Sequence, residues 1–324
     1  MIVVTGGAGF IGSAMIWQLN QAGYQNIISI DDLGTGSKWK NLVKRQFAFN
    51  VRIAIGLKWL KKHADQIEAV FHMGACSATT ENDADYLMDN NVHYSRKIWK
   101  LCAKQKIPLI YASSAATYGS REEGFSDDHQ SNHELRPINQ YGWSKHVFDR
   151  WALSQKTAPD RWFGLKFFNV YGPNEYHKGA QASVGFHASK QIAESGTLKL
   201  FKSHRQEFSD GGQMRDFVYV KDITKIMLHL WQETKAESGI YNLGTGVAAS
   251  FSSLGEACFT ASGLPAKIKW IDMPEALRNQ YQYFTQAELA KLREKAHYHS
   301  PLTALDAGIQ DYYQNYLLTA DPYL

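Results

Sequence analysis

The first half of the chain alternates short apolar runs with longer stretches of helical spacing. Ile2–Val4, Ile27–Ile30, Ala69–Met73 and Leu109–Ser113 have strand length, and each gives way to Gly, Asp or Ser within two residues. Between them, apolar positions recur every three or four residues over Gly12–Ala22, over about 55–63 and over about 83–104. Such alternation predicts an α/β fold, a doubly wound parallel sheet with its ligand crevice at the carboxyl ends of the strands. The stretch from Phe47 to Ile55 lacks a clean turn signal and leaves a further strand open. After Asn169 the texture changes, with frequent aromatics and glycines and short apolar runs at Leu198–Phe201, Phe217–Val220 and Lys267–Trp270. Helical spacing returns at Ile223–Trp231 and Thr303–Tyr316. We therefore expect a sheet domain over residues 1–168, with some later segments returning to it. A smaller mixed α/β part over 169–324 would bind the substrate.

Composition changes this picture little. The chain has 324 residues, 44% hydrophobic and 20% charged, ordinary values for a water-soluble globular protein with a sizeable core. The net charge of +4 is carried by scattered basic residues, the densest group being Lys58, Lys61 and Lys62, which reads as a solvated helix face. A nucleic-acid partner would need a longer basic stripe, and no apolar stretch has the length of a membrane span. A strand starting at Ile2 leaves no room for a signal peptide. Cys76, Cys102 and Cys258 are far apart and odd in number, which suits free thiols and a cytoplasmic setting. His129 and His133 have ligand-like spacing, but they sit in a polar loop without further donors, so no metal site is expected.

The candidate chemistry begins where the first strand breaks into glycines. Gly7, Gly9 and Gly12 match G-x-G-x-x-G, and Gly6, Gly9 and Gly12 match a looser spacing. Glycines give a tight turn, bare backbone beside a pyrophosphate and close packing of the following helix. The helix N-terminus offers N–H groups to phosphate oxygens. Asp31, at the end of the second strand, stands at the distance expected of a ribose-binding carboxylate. Strand, glycine turn, helix and acid together read as a Rossmann-type dinucleotide site; glycines without that context would be a bare turn. A second signal is Tyr141-Gly-Trp-Ser-Lys145. On a helix Tyr141 and Lys145 share a face. A nearby ammonium favours the phenolate, and so brings a group with an ordinary pKa near 10 toward use as a base. An exposed aromatic–lysine pair is the other reading of this spacing. Ser113 and Ser114, closing a predicted strand upstream, favour a Ser/Tyr/Lys set beside a dinucleotide.

Together these motifs resemble the extended short-chain dehydrogenase/reductase family of nucleotide-sugar enzymes, the NAD-dependent epimerase/dehydratase type, and most of all its branch acting on ADP-linked heptoses. The resemblance runs through nearly the whole chain. It is carried by the glycine loop, His72-Met-Gly-Ala-Cys-Ser77, Met88-Asp-Asn-Asn91, Tyr111-Ala-Ser-Ser-Ala-Ala-Thr-Tyr-Gly119 and Tyr141-Gly-Trp-Ser-Lys145. Further on it is carried by Phe168-Asn-Val-Tyr-Gly-Pro173, His177-Lys-Gly179, Arg215-Asp-Phe-Val-Tyr219, Tyr241-Asn-Leu-Gly-Thr-Gly246 and Phe284-Thr-Gln-Ala287.

The resemblance implies inversion of ADP-D-glycero-β-D-manno-heptose at C6, through a transient 6-ketone and a bound NADP, toward lipopolysaccharide inner-core precursors. It implies catalytic roles for Tyr141 and Lys178 on opposite faces of the carbon, with Ser114 on the reacting oxygen and Lys145 beside them. Cofactor contacts would come from Gly6, Gly9, Phe10, Ile11, Gly12, Asp31, Asp32, Lys38, Met73, Gly74, Ala75, Ser77, Asn90, Lys145 and Val170. Substrate contacts would come from Ser114, Asn169, Lys178, His187, Phe201, Arg215 and Tyr281. A homo-oligomer, often a pentamer in this family, is the implied assembly.

Four departures stand out. Asp32 takes a position usually uncharged, which favours NAD over NADP, against Lys38 and the nearby Lys40. Arg52 could replace a basic cofactor contact. The stretch from His204 to Met214 is longer than usual, and Ala180 replaces a serine. A 4-epimerase would lack the lysine at 178, and a 4,6-dehydratase would carry acids where Ala115 and Ala116 follow Ser114. A non-catalytic dinucleotide sensor would be expected to lose Tyr141 or Lys145.

Overall fold

Ile2-Val3-Val4 is β-branched throughout and buried on both faces, the pattern of a strand covered by helices on both sides. The structure, a computed structural model, describes residues 1–278 and 281–324. In it the strands of the first half are β1 (Ile2–Thr5), β2 (Ile27–Ile30), β3 (Phe49–Val51), β4 (Ala69–His72), β5 (Leu109–Ser114) and β6 (Trp162–Phe167). The second half supplies β7 (Asn169–Tyr171), β8 (Leu198–Phe201), β9 (Met214–Arg215), β10 (Phe217–Tyr219), β11 (Gly239–Leu243), β12 (Ala249–Ser250) and β13 (Ile268–Ile271). Seven of these form one sheet in the order β11-β6-β5-β4-β1-β2-β3, with every neighbouring pair parallel. The order reverses between β1 and β4, so the ligand crevice of a doubly wound sheet opens there.

Alternate residues of β1 enter different layers. Ile2 and Val4 pack with Met15, Ile16 and Leu19 of the helix Phe10–Gln21 and with Ile223 and Met227 of the helix Val220–Gln232. Val3 packs on the other face with Leu60, Ile98, Trp99 and Phe148. A separate core joins Leu198, Leu200, Phe259, Ile309, Tyr312 and Tyr313 in the second half. There β7 pairs with β10, β8 with β13, and β9 with β12. Among the described residues no helix is long and apolar enough to cross a membrane.

Four features refine the sequence expectation or differ from it. The unclear stretch holds β3 and the start of a helix at Ile53. The long helix after Asp83 is one run to Gln105, with a π-helical segment at Met88–His93. The last predicted helix, expected over Thr303–Tyr316, runs over Leu305–Tyr312 and ends in a π turn, Tyr313–Leu317.

The fourth difference is that β6 and β11 escaped the apolar pattern because each buries polar or glycine positions. Gly164 makes room for the Tyr111 ring, since a Cβ there would lie 2.3 Å from its hydroxyl. Lys166 is buried against Asp149 at 3.5 Å and donates to Thr117 Oγ1 at 2.7 Å. Asn242 is buried between Tyr118, which donates to it at 2.7 Å, and the Phe125 carbonyl, to which it donates at 2.6 Å.

Candidate active site

At the switch point the loops after β1 and β4 touch. Gly6 has φ +64°, and a Cβ there would meet the Cα and N of Gly74 at 2.7 Å. A Cβ on Gly12 would lie 2.1 Å from the Gly6 carbonyl oxygen, so the helix packs on the turn as closely as backbone allows. Gly9 is the N-cap of the helix Phe10–Gln21, and no side chain caps its first turn. Its leading N–H groups are therefore available to an anion. Asp31 is buried and accepts from Ala8 N at 3.0 Å. This is the cradle that a dinucleotide needs: bare backbone, a helix N-terminus and a carboxylate on the next strand.

Lys38 Nζ pairs with Asp31 Oδ1 at 2.5 Å and donates to the Asp32 carbonyl at 3.2 Å. The Asp32 carboxylate turns toward the helix start at Ile53, accepting from its N–H at 3.2 Å, and lies 3.5 Å from Arg52 Nε. Arg52 is thus engaged with Asp32 on the exposed surface.

The helix Gln140–Leu153 carries Tyr141 and Lys145. Asn139 caps it by accepting from Gly142 N at 2.7 Å. Gly142 lets it pack on the loop beyond Ser114, because a Cβ there would sit 2.6 Å from the Ala116 oxygen. Ser114 ends β5, and its hydroxyl accepts from Ala116 N at 3.1 Å. Burial pushes the Tyr141 phenol up, and the Ser114 hydroxyl opposes that. Lys145 Nζ donates to the Ala112 carbonyl at 2.9 Å. Burial lowers its ammonium to about 8, against the raising effect of Asp149.

Behind this set, Asp149 accepts from Ser113 Oγ at 2.6 Å and Tyr111 Oη at 3.1 Å. His72 is buried between Thr5 Oγ1 at 2.6 Å and Ser95 Oγ at 2.9 Å. Asn91, in the π-helical segment, links the β4 loop to this helix. Its side chain accepts from Cys76 N at 2.9 Å and donates to Cys76 O and Ser144 Oγ, each at 3.0 Å. A π segment in a helix is often found at a functional site.

The other wall comes from the second half of the chain. Lys178 lies in the 3₁₀ turn Tyr176–Gln181, with its ammonium 5.5 Å from the centre of the Phe10 ring. Burial lowers its pKa, and Glu175 opposes this. Arg215, on β9, is buried, with Phe251 and Tyr281 rings 5.8 and 5.1 Å from its guanidinium carbon. It has no carboxylate partner among the described residues.

One cavity of about 1010 Å³ joins both walls. Of the residues named from the sequence, Gly6, Gly9, Phe10, Ile11, Gly12, Asp31, Asp32, Lys38, Met73, Gly74, Ala75, Ser77 and Asn90 line its cradle side. Ser114, Tyr141, Lys145, Asn169, Val170, Lys178 and Arg215 line the remainder. His187, Phe201 and Tyr281 do not line it. His187 lies in the first turn of the helix Val184–Ser195, its N–H bonded to the Ser183 carbonyl, and Phe201 is in β8. Tyr281 meets the site through Arg215. His129 accepts from Ile240 N at 3.0 Å, which ties it to β11.

The sequence reading quoted Asn91 and His177 within motifs but gave no role to them, to Thr5, Tyr94 and Gln282 on the wall, or to Asp149 and Glu175 behind it.

Comparison with known proteins agrees with this geometry. Residues 2–244 match the model of the NAD dependent epimerase/dehydratase family. The chain is similar to an ADP-L-glycero-D-manno-heptose-6-epimerase of Fusobacterium nucleatum, 50% identical over the full length of both. It also superposes on the crystal structure of the Helicobacter pylori ADP-L-glycero-D-manno-heptose-6-epimerase, with a TM-score of 0.82 and 28% identity over 97% of this chain and 95% of that one. A UDP-N-acetylglucosamine 4-epimerase from Methanobrevibacter ruminantium reaches the same TM-score, 0.82, at 22% identity, over 97% and 96% of the two chains. Fold alone therefore does not separate these activities. With the glycine cradle at the switch point, the Tyr-x-x-x-Lys helix beside it and a family match over three-quarters of its length, the chain belongs to the NAD dependent epimerase/dehydratase family.

Proposed function

We propose that this chain is an isomerase that inverts C6 of ADP-D-glycero-β-D-manno-heptose to the L-glycero epimer, with a nicotinamide dinucleotide in the glycine cradle. The full-length likeness to heptose epimerases supports the substrate. The observation that carries the chemistry is a single cavity lined by Ser114, Tyr141 and Lys145 from one half and by Lys178 from the other.

When bound, the dinucleotide supplies a hydride acceptor and donor. In this reading, the chain's own residues manage the oxygen and the protons. Ser114 orients the C6 oxygen, and Tyr141 takes its proton as hydride leaves the carbon. Lys145 keeps its charge at neutral pH, since burial brings it down only to about 8, and in this reading a cation one turn along the helix favours the Tyr141 phenolate. The 6-ketone then turns about its bond to C5 and presents its other face. Lys178 protonates the oxygen there as hydride returns. A racemising return needs two such groups, because a proton partner must sit within about 3 Å of the oxygen it serves. Arg215 suits the diphosphate, as a buried guanidinium without a carboxylate partner among the described residues.

NADP is the form of the cofactor we propose. Lys38 lies beside Asp31 on the cavity wall, and the Asp32 carboxylate is drawn toward Ile53 and Arg52. NAD is the alternative because of Asp32. Three free cysteines suit a cytoplasmic enzyme, and the product would serve lipopolysaccharide inner-core synthesis.

Incubation with ADP-D-glycero-β-D-manno-heptose, without added cofactor, followed by separation of the epimers, tests the function. Formation of the L-glycero epimer supports it, and recovery of unchanged sugar or of a dehydrated product refutes it. Mass spectrometry of the dinucleotide released by denaturation decides between NADP and NAD.

A further inference from the structure

Glu175 is fully buried in the loop that carries Lys178. Three residues bring four donors to its carboxylate. Gly172 N lies at 3.2 Å, Ser183 N at 2.5 Å, Ser183 Oγ at 2.7 Å and Tyr312 Oη at 3.0 Å. Gly172 precedes the turn Tyr176–Gln181 and Ser183 follows it, so one carboxylate ties together both ends of the loop. The turn is also built on this residue, since Lys178 N donates to the Glu175 carbonyl at 3.0 Å. Ser183 in turn caps the helix Val184–Ser195, accepting from Phe186 N at 3.2 Å. Tyr312 anchors the carboxylate to the C-terminal helix, where it is itself buried.

We infer that Glu175 is the positioning residue for Lys178: it staples the loop ends together, so that the Lys178 ammonium stands in the cavity above the Phe10 ring. The inference rests on the reading of Lys178 as the second acid–base group. It gives a buried acid a task beyond holding the fold. Burial raises the Glu175 carboxyl above its ordinary value, and the hydrogen bonds from Ser183 and Gly172 and the charge of Lys178 oppose that. Burial lowers the Lys178 ammonium, and Glu175 as a carboxylate raises it. Tyr176 and Tyr312 are the other titratable groups facing Glu175, and both are pushed up by burial. His177 faces Lys178 and is held near 4 by burial, so it adds no charge at neutral pH.

The test compares Glu175→Gln, Tyr312→Phe and Lys178→Met with the parent enzyme. Epimerisation kcat and KM are read across pH 6 to 10, and bound dinucleotide is measured in each. Glutamine keeps the shape and removes the charge. Glu175→Gln is expected to retain the dinucleotide and to lower kcat about tenfold or more, a fraction of the roughly 10²–10⁴ that an acid–base group supplies. KM should change less than about threefold. Two ammonium groups are lost on the alkaline limb, Lys145 near 8 and Lys178, and the Lys178 step should move to lower pH by about one unit, because the charge that raised it is gone. Tyr312→Phe, which deletes one donor and leaves the charge, should lower kcat by less and leave the limb in place, and it serves if Glu175→Gln does not fold. Parent kcat and an unshifted limb in both variants, with Lys178→Met inactive, overturn the role of Glu175 alone. Parent activity in Lys178→Met overturns the reading of Lys178, and this inference with it.

Discussion

Gly6 and Gly74 meet backbone to backbone at the switch point, 2.7 Å from where a Gly6 Cβ would stand. Neither loop can retreat, because Gly74 N donates to Thr5 Oγ1 at 3.1 Å and Thr5 is bonded to His72. Gly6→Ala also places an L side chain at φ +64°, at a cost of about 1–2 kcal/mol before any clash. The variant is expected to lose most of its bound dinucleotide. Chromatography of the nucleotide released per chain checks this, and parent content in the alanine variant would show that the cradle is not formed by this contact.

His72 makes the fold sensitive to acid. Burial lowers it from 6.5 to about 3, with Lys145 adding to the effect, so the folded chain holds it neutral. Between those values the unfolded chain binds a proton that the folded chain does not. Stability is therefore complete above pH 6.5 and is lost as pH falls toward 3. From pH 6.5 to 5 the loss is about 2 kcal/mol from this group. Urea unfolding at pH 7 and pH 5 should show a difference smaller by about that amount in His72→Gln. An equal difference in parent and variant would mean that His72 does not carry it.

Arg215 is buried beside Tyr281 and Phe251 on the cavity wall. Its truncation to alanine should weaken ADP-heptose binding by about 2–5 kcal/mol, the cost of leaving a buried charged group unpaired, while cofactor content stays level. Calorimetric titration of the nucleotide sugar into both forms measures it. Unchanged affinity would remove Arg215 from the diphosphate site.

Tyr141 and Lys178 enter one cavity from different halves of the chain. Tyr141→Phe and Lys178→Met should each lower epimerisation by about 10²–10⁴, with fold and dinucleotide retained. A Lys178→Met variant at the parent rate would point to a mechanism using one tyrosine.

Much of this was legible in the sequence where the cause is local. Ile27–Ile30 and Leu198–Phe201 are strands with the expected bounds, because a run of buried apolar residues declares itself. The glycine turn is legible for the same reason, as steric need and phosphate contact fall within a dozen residues. The strands β6 and β11 were hidden because Lys166 and Asn242 find their partners far along the chain, in Asp149, Tyr118 and Phe125. Glu175 was hidden likewise, since one of its donors, Tyr312, comes from the far end of the sequence. His187, Phe201 and Tyr281, taken from the resemblance, do not reach the cavity wall here. A motif fixes a residue's place in the chain, and packing fixes its distance from the site.

The central claim is that hydride leaves C6 and returns to the same carbon from a dinucleotide that stays bound. ADP-D-glycero-β-D-manno-heptose carrying deuterium at C6 tests it most directly, with the L-glycero product read by mass spectrometry and proton NMR. The product should retain its deuterium at C6 in ordinary water. Loss of the label to solvent would contradict it, since inversion would then proceed by proton abstraction from carbon and not by hydride transfer.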